Sequence, residues 1–359
     1  MWAITQYEHP LHTPLESRSH KADLPLLSIY FHIPLYSIIV IVEQLNVDEN
    51  DLSKIKYSFN MGTTDFDGFI LSRPSGAYTG MRTVDKTSIA ELHTHMKRLY
   101  NSIASIKFEG DNNGDDSAVF LEEKHKEVQE AMAPLRDPVL LEKKVVQIVR
   151  VGLTEFYGKV HLTTDGEVKV TILATYCFDT HKPYFAAHFE CLPPIASANE
   201  RAQILVEKQC RKAPEIKDSQ WVRDRQELEH KKKAIHFNEV VLIDDKLQLY
   251  EGISSNFLVV KDNVVYCAPL DHVLLGTMLK LVIGICEKHD IPLRWDFPRL
   301  QEVDTWEGCF LTSTSRVLLQ VETVWVNGQT YEFRNKCKLI QFIREQMSRE
   351  LYESAVKVM

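Results

Sequence analysis

The sequence predicts a mixed α/β (α+β) protein built from two domains. Three observations lead there. The chain has 359 residues, long for a single hydrophobic core. Its second half is dense in short strand signals, whereas its first half carries a clear amphipathic helix. Between them lies Cys191–Glu200, CLPPIASANE, with paired prolines and small polar residues, the composition of a linker. The boundary falls there, giving a smaller N-terminal α/β domain over 1–195 and a C-terminal domain over 196–359.

Taken in order, the first apolar run is Leu24–Val42. Pro25, His32 and Pro34 interrupt it, which argues against a membrane helix. It also lies too deep for a standard signal peptide, so strand and loop are expected, in a cytoplasmic protein. Next, Ile89, Leu92, Met96, Leu99, Ile103 and Ile106 step by three or four residues, the apolar stripe of a helix. His95, Arg98 and Ser102 form a second, polar stripe on it, expected as a solvated face. Glu109–Asp116, EGDNNGDD, reads as an exposed loop. Val145–Phe178 reads as two strands of a hairpin turning at Thr164, Asp165 and Gly166. Beyond the linker, Glu239–Asp245, Leu247–Gly252, Asn256–Val260 and Val264–Ala268 are expected strands. Thr277–His289 has helical spacing and ends at Asp290 and Pro292. Gly308–Ser315 reads as a strand running into a polar turn.

Composition removes several classes of function. A net charge of −8 is a poor match to the phosphate backbone, so no nucleic-acid partner is expected. The seven cysteines are scattered and never form C-x-x-C, as in a reduced protein without a zinc site.

Four features stand in order along the chain: Gly76–Thr83 (GAYTGMRT) followed by His95–Ser102 (HMKRLYNS); Lys217 in PEIKDSQW; Tyr250–Phe257 (YEGISSNF); and two small-polar turns, Leu274–Met278 (LLGTM) and Thr312–Ser315 (TSTS). Lys217 stands thirty-four residues before Glu251, which opens an E-G-x-x-x-N-F motif, and His95–Leu99 reads H-x-x-R-L. This order and spacing resemble the class IV aminotransferases, the fold-type IV enzymes that bind pyridoxal 5′-phosphate (PLP) and include branched-chain and D-amino-acid aminotransferases and aminodeoxychorismate lyases. The resemblance covers roughly Gly76–Val321.

The resemblance implies a role for each residue. Lys217 would hold the cofactor as a Schiff base and move protons once released. Glu251 would keep the pyridine nitrogen protonated. Arg98 would meet the phosphate, with Gly276, Thr277 and Met278 forming a cup at a helix N-terminus and Thr314 adding a hydroxyl. Arg82 would bind a substrate carboxylate, beside Tyr78 and Ser315. The three lysines Lys231, Lys232 and Lys233 are read instead as a solvated helix face, with Glu227–Lys231 and Glu229–Lys233 pairs. An amino acid and a 2-oxo acid would be the substrates, and the enzyme would be a homodimer.

The sequence departs from the branched-chain pattern at three places. Met278 stands where a hydroxyl is expected, Val222 where a tyrosine meets the ring oxygen, and Tyr78-Thr79-Gly80 lacks an acidic side chain. The GAYT-x-x-RT wording looks closer to the D-amino-acid aminotransferase-like branch. A PLP-dependent lyase of the aminodeoxychorismate type is the alternative activity, and a non-catalytic relative is a further reading.

Overall fold

The strands form two sheets. The computed structural model describes residues 39–108, 118–159, 166–197 and 199–359. The loop expected at 109–116, residues 164 and 165 of the expected turn, and positions 24–38 of the first apolar run lie outside these residues.

The first sheet contains β1 (Ile39–Gln44), β2 (Tyr57–Gly62), β3 (Gly76–Val84), β4 (Ser88–Ile89), β5 (Val168–Cys177) and β6 (Lys182–Cys191). The second contains β7 (Ala202–Lys208), β8 (Glu239–Ile243), β9 (Leu249–Gly252), β10 (Asn256–Lys261), β11 (Val264–Cys267), β12 (Leu293–Trp295), β13 (Gly308–Ser313), β14 (Val317–Val326) and β15 (Gln329–Glu332). A last strand, β16 (Val356–Lys357), returns to the first sheet, whose order is β16-β4-β3-β5-β6-β1-β2. The second runs β12-β11-β10-β13-β14-β7-β8-β9, with β15 on β14. β9 then pairs back with β10 through Glu251 and Asn256, so six of its strands close on themselves. Closure covers the free edge that β9 would otherwise expose.

The helices are α1 (Phe66–Leu71), α2 (Leu92–Ser105), α3 (Ala118–Met132), α4 (Pro138–Lys159), α5 (Gln220–Asp224), α6 (Gln226–Ala234), α7 (Thr277–Lys288) and α8 (Lys338–Glu353). α2 and α4 bury Leu92, Leu99, Ile103, Val145, Ile148 and Leu153 in one core with Val170 and Ile172 of the first sheet. Met278, Leu279 and Val282 of α7 pack with Ile340 and Ile343 of α8 and with Leu258 and Phe310 of the second sheet. Among the described residues no helix is long and apolar enough to cross a membrane.

Several expectations are corrected. The expected hairpin over Val145–Phe178 is a helix followed by a strand: Val145–Lys159 belongs to α4 and only Val168–Cys177 is extended. Buried Leu141, Val145, Ile148, Val149, Leu153 and Phe156 recur at helical spacing. β5 pairs instead with β6. Ile89 and Ile106 flank α2 rather than belonging to it. Its polar stripe is not a solvated face, since His95 and Ser102 are buried. On α6, Lys231 does reach Glu227 at 3.3 Å, but Lys233 lies 3.6 Å from Asp67 while Glu229 takes Lys232 and Arg225.

Candidate active site

Lys217 is held by its own backbone from two sides. Its N–H donates to Ser102 Oγ of α2 at 3.1 Å, and its carbonyl accepts from Tyr78 N of β3 at 3.1 Å. Ser219 adds two bonds to Gly76, one through N and one through Oγ. The close approach requires a glycine at position 76, where a Cβ would lie 2.4 Å from the Ala174 carbonyl oxygen. Two segments far apart in sequence are thereby stitched into one floor. The Lys217 Nζ lies 4.6 Å from the centroid of the Tyr78 ring.

The polar stripe of α2 backs this floor. Arg98 Nη2 donates to Thr79 Oγ1 at 3.0 Å and lies 3.3 Å from His95 Nδ1, itself 2.8 Å from Thr79 Oγ1. A guanidinium only donates, so Nδ1 is the acceptor and the His95 proton sits on Nε2. Burial, with the charges of Arg98 and Lys217, holds His95 well below the usual histidine range. It is therefore neutral and adds no charge to a site already rich in cations. Burial lowers Arg98 to about 10, which leaves it charged at neutral pH, and its Nε has no hydrogen-bond partner.

The E-G-x-x-x-N motif works through register. Glu251 and Asn256 face each other across the β9–β10 pair, so both side chains emerge on the same side. Both grip Leu274: Glu251 Oε2 accepts from Leu274 N at 3.0 Å, and Asn256 Nδ2 donates to Leu274 O at 2.7 Å. That fixes the turn leading into α7. Gly276 sits so close to Asn256 that a Cβ would meet its Oδ1 at 2.2 Å. Thr277 and Met278 then open α7 with N–H groups that no helical carbonyl can satisfy, next to the positive end of its dipole. The Thr277 hydroxyl lies 3.3 Å from that of Thr314, so two hydroxyls expected apart in sequence meet in space. Met278 contributes its backbone alone, because its side chain is buried in the core between α7 and α8.

The remaining oxygen of Glu251 accepts from Arg211 Nη1 at 3.2 Å, an ion pair with both side chains buried. Arg211 is also tied to the Ile216 carbonyl at 2.7 Å and stacks over Trp221. Burial pushes the Glu251 carboxyl up, opposed by Arg211 and the Leu274 N–H. Burial also drives Lys217 well below the usual lysine range, helped by the charges of Arg98, Arg211 and Arg225 and opposed by Glu251. A lysine so placed gives up its proton more readily than an exposed one, and the free amine can act as nucleophile or base.

These residues line two connected spaces. A narrow recess is bordered by Arg98, Arg211, Lys217, Glu251, the α7 N-terminus and Thr314. An outer cleft of about 390 Å³ is bordered by Lys217, Tyr78, Thr314 and Ser315, with Phe66 and charged residues further out. Arg82 is not at either space. It is buried, and its Nη1 donates to the carbonyls of Thr314 and Ser315 at 3.2 and 3.3 Å. It braces the TSTS turn from behind. Val222 packs among Tyr78, Leu173 and Ile70.

Sequence reasoning overlooked Arg211, Arg225 and Glu239. Glu239 accepts from Ser254 Oγ at 2.6 Å, Ser255 Oγ at 2.8 Å and Arg316 Nη1 at 2.7 Å, clamping the turn after Glu251 to the turn after Ser313. The Arg225–Glu229 spacing of four was a usable signal for Arg225. Nothing in the local pattern marks Arg211 or Glu239.

The recess fits PLP on its own chemistry. Arg98, Arg211 and the Lys217 amine face Glu251, while Arg225 has Glu229 at 3.4 Å, so the recess keeps an excess of positive charge that a phosphate would balance. The unpartnered Arg98 Nε, the paired hydroxyls and the free amides of α7 supply its donors. Comparison with known proteins agrees. The model of the family described as amino-transferase class IV matches residues 76–324. A curated relative, a probable branched-chain-amino-acid aminotransferase of Rickettsia typhi, is 22% identical over 117 residues, 33% of this chain and 40% of the relative. Among solved structures, the branched-chain aminotransferase of the archaeon Thermoproteus uzoniensis with norvaline aligns with a TM-score of 0.58 at 17% identity, covering 80% of this chain and 92% of the other. A hypothetical aminotransferase from Mycobacterium tuberculosis in its PLP-bound form gives 0.60 at 12% identity, over 88% and 99%.

Proposed function

The chain belongs to the class IV aminotransferase family, and on that premise we propose that it is a PLP-dependent aminotransferase working through Lys217. One observation carries the reading: the half-buried Lys217 side chain stands among three guanidiniums at the junction of an anion-ready recess and an open cleft. PLP, when bound, supplies an aldehyde that captures amines and a ring that withdraws electrons. Arg98, the amides of Thr277 and Met278, and the hydroxyls of Thr277 and Thr314 would hold its phosphate. Glu251, fixed by Leu274 and Arg211, would stand beside the ring nitrogen. Lys217, whose proton is loosened by burial and by the neighbouring guanidiniums, would take a proton from the Cα of an amino acid held in the cleft, and Tyr78 and Ser315 would border that substrate. We take the assembly to be a cytoplasmic homodimer handling an amino acid, of branched-chain or D configuration, and a 2-oxo acid.

The test begins with absorbance of the purified protein during titration with PLP. Leucine, D-alanine and aminodeoxychorismate are then offered separately with 2-oxoglutarate. Glutamate formed from either of the first two supports amino transfer. Pyruvate released from the third alone, with no glutamate from any donor, contradicts it in favour of a lyase.

A further inference from the structure

An amino acid entering the cleft brings a carboxylate that must lie close to Lys217, because amine and carboxylate share one carbon. Arg82, the sequence-level candidate, is turned onto the Thr314 and Ser315 carbonyls behind the cleft wall. The other cations of the outer cleft are engaged. Lys169 lies 2.6 Å from Glu190, Arg316 is held by Glu239 and the Asn238 carbonyl, and Lys233 faces Asp67. Arg98 and Arg211 border the recess alone.

Arg225 differs in its position. Among the described residues it is the one arginine that borders both the recess and the cleft, as Lys217 does. It is buried, 5% exposed. One nitrogen, Nη1, donates to the Ile253 carbonyl, which fixes the guanidinium where it stands. Glu229 lies 3.4 Å from Nε, without the geometry of a hydrogen bond. A planar, preorganised guanidinium is the side chain best suited to a carboxylate.

We propose that Arg225 binds the α-carboxylate of the amino acid and of the 2-oxo acid, and so sets the requirement for a carboxylated substrate. The proposal rests on the amino-transfer reading. It assigns Arg225 to substrate recognition and leaves the cofactor phosphate to Arg98 and α7.

The experiment compares the wild type with Arg225→Gln and Arg225→Lys, each loaded with PLP. Three quantities are measured: PLP affinity by absorbance titration, binding of the unreactive acid butanoate by calorimetry, and KM and kcat for an amino acid against a primary amine lacking a carboxylate. Loss of a charge-assisted pair predicts a roughly 10- to 100-fold weaker butanoate affinity and higher amino-acid KM in Arg225→Gln. Arg225→Lys recovers part of it. PLP affinity and the carboxylate-free amine change by less than about threefold. The assignment is overturned if PLP affinity falls as far as butanoate affinity, which would make Arg225 a phosphate ligand. It is equally overturned if both variants bind butanoate as the wild type does. Wild-type protein that takes up no PLP removes the amino-transfer reading, and the assignment with it. Wild-type protein that takes up PLP but binds no carboxylic acid overturns the assignment alone.

Discussion

The recess and the cleft share Lys217 and differ in how their charges are settled. In the cleft, cations are matched locally: Lys169 with Glu190, Lys233 with Asp67, Arg316 with Glu239. In the recess, Arg98, Arg211 and Lys217 stand around Glu251, with Arg225 set against Glu229, and burial strengthens the repulsion among the cations. Matched pairs make a wall. An unmatched buried excess suits an anion, because an opposite charge contributes more there than at a solvated surface. The comparison also separates two settings for arginine in one small volume: bracing a turn, as Arg82 does, and keeping a buried donor unpartnered, as Arg98 does.

That contrast can be broken at several points. The largest effect belongs to Lys217, common to both regions. Lys217→Ala should cost roughly 10²- to 10⁴-fold in turnover, measured with saturating PLP. Glu239 comes next, because it ties the turn of the recess to the turn of the cleft. Burial pushes its carboxyl up, but Arg316, Lys232 and Ser254 more than offset this and bring it to about 2 from an ordinary 4.5. A folded value below the unfolded one means stability that is present above about pH 4.5 and lost as the pH falls through about 2. The displacement corresponds to about 3 kcal/mol. Glu239→Gln should therefore lower the unfolding free energy by that order at pH 7, with the gap to wild type closing below pH 4.5 in denaturant titrations. Arg98→Gln should weaken PLP binding roughly 10- to 100-fold with little loss of stability. Gly276→Ala, which drives a Cβ into the bonded amide of Asn256, should cost about 1–3 kcal/mol, read as a lower melting temperature of the apo-protein. The smallest effect is expected in the cleft wall. Lys169→Gln should change PLP affinity by less than about threefold, and a larger fall would mean that the cleft does not stand apart electrostatically.

The two regions were unequally legible in the sequence. Arg98, Lys217, Glu251 and the Gly276–Met278 turn belong to short motifs whose spacing reflects one register pair, one helix start and one polar helix stripe. Such local geometry leaves a mark on the order of residues. Arg211 and Glu239 act through contacts between segments that no period connects, so their pattern is silent, whereas Arg225 left a mark in its spacing of four from Glu229. Arg82 shows the opposite failure: its position in the chain matched a binding role, while packing turned it onto two carbonyls. α4 was misread for a related reason. Its long buried face looks like alternation over any few residues, and only the full run from Leu141 to Phe156 shows the helical step. The turn expected there involved Thr164 and Asp165, outside the described residues.

The central claim is that the Lys217 amine carries PLP in a recess suited to its phosphate. The direct measurement is absorbance of the PLP-loaded protein before and after borohydride, followed by peptide mapping, with Lys217→Ala alongside. The account predicts a near-ultraviolet to visible band that borohydride converts into a covalent adduct on the Lys217 peptide, absent in the variant. A protein that stays colourless with PLP, or an adduct on another lysine, would contradict it.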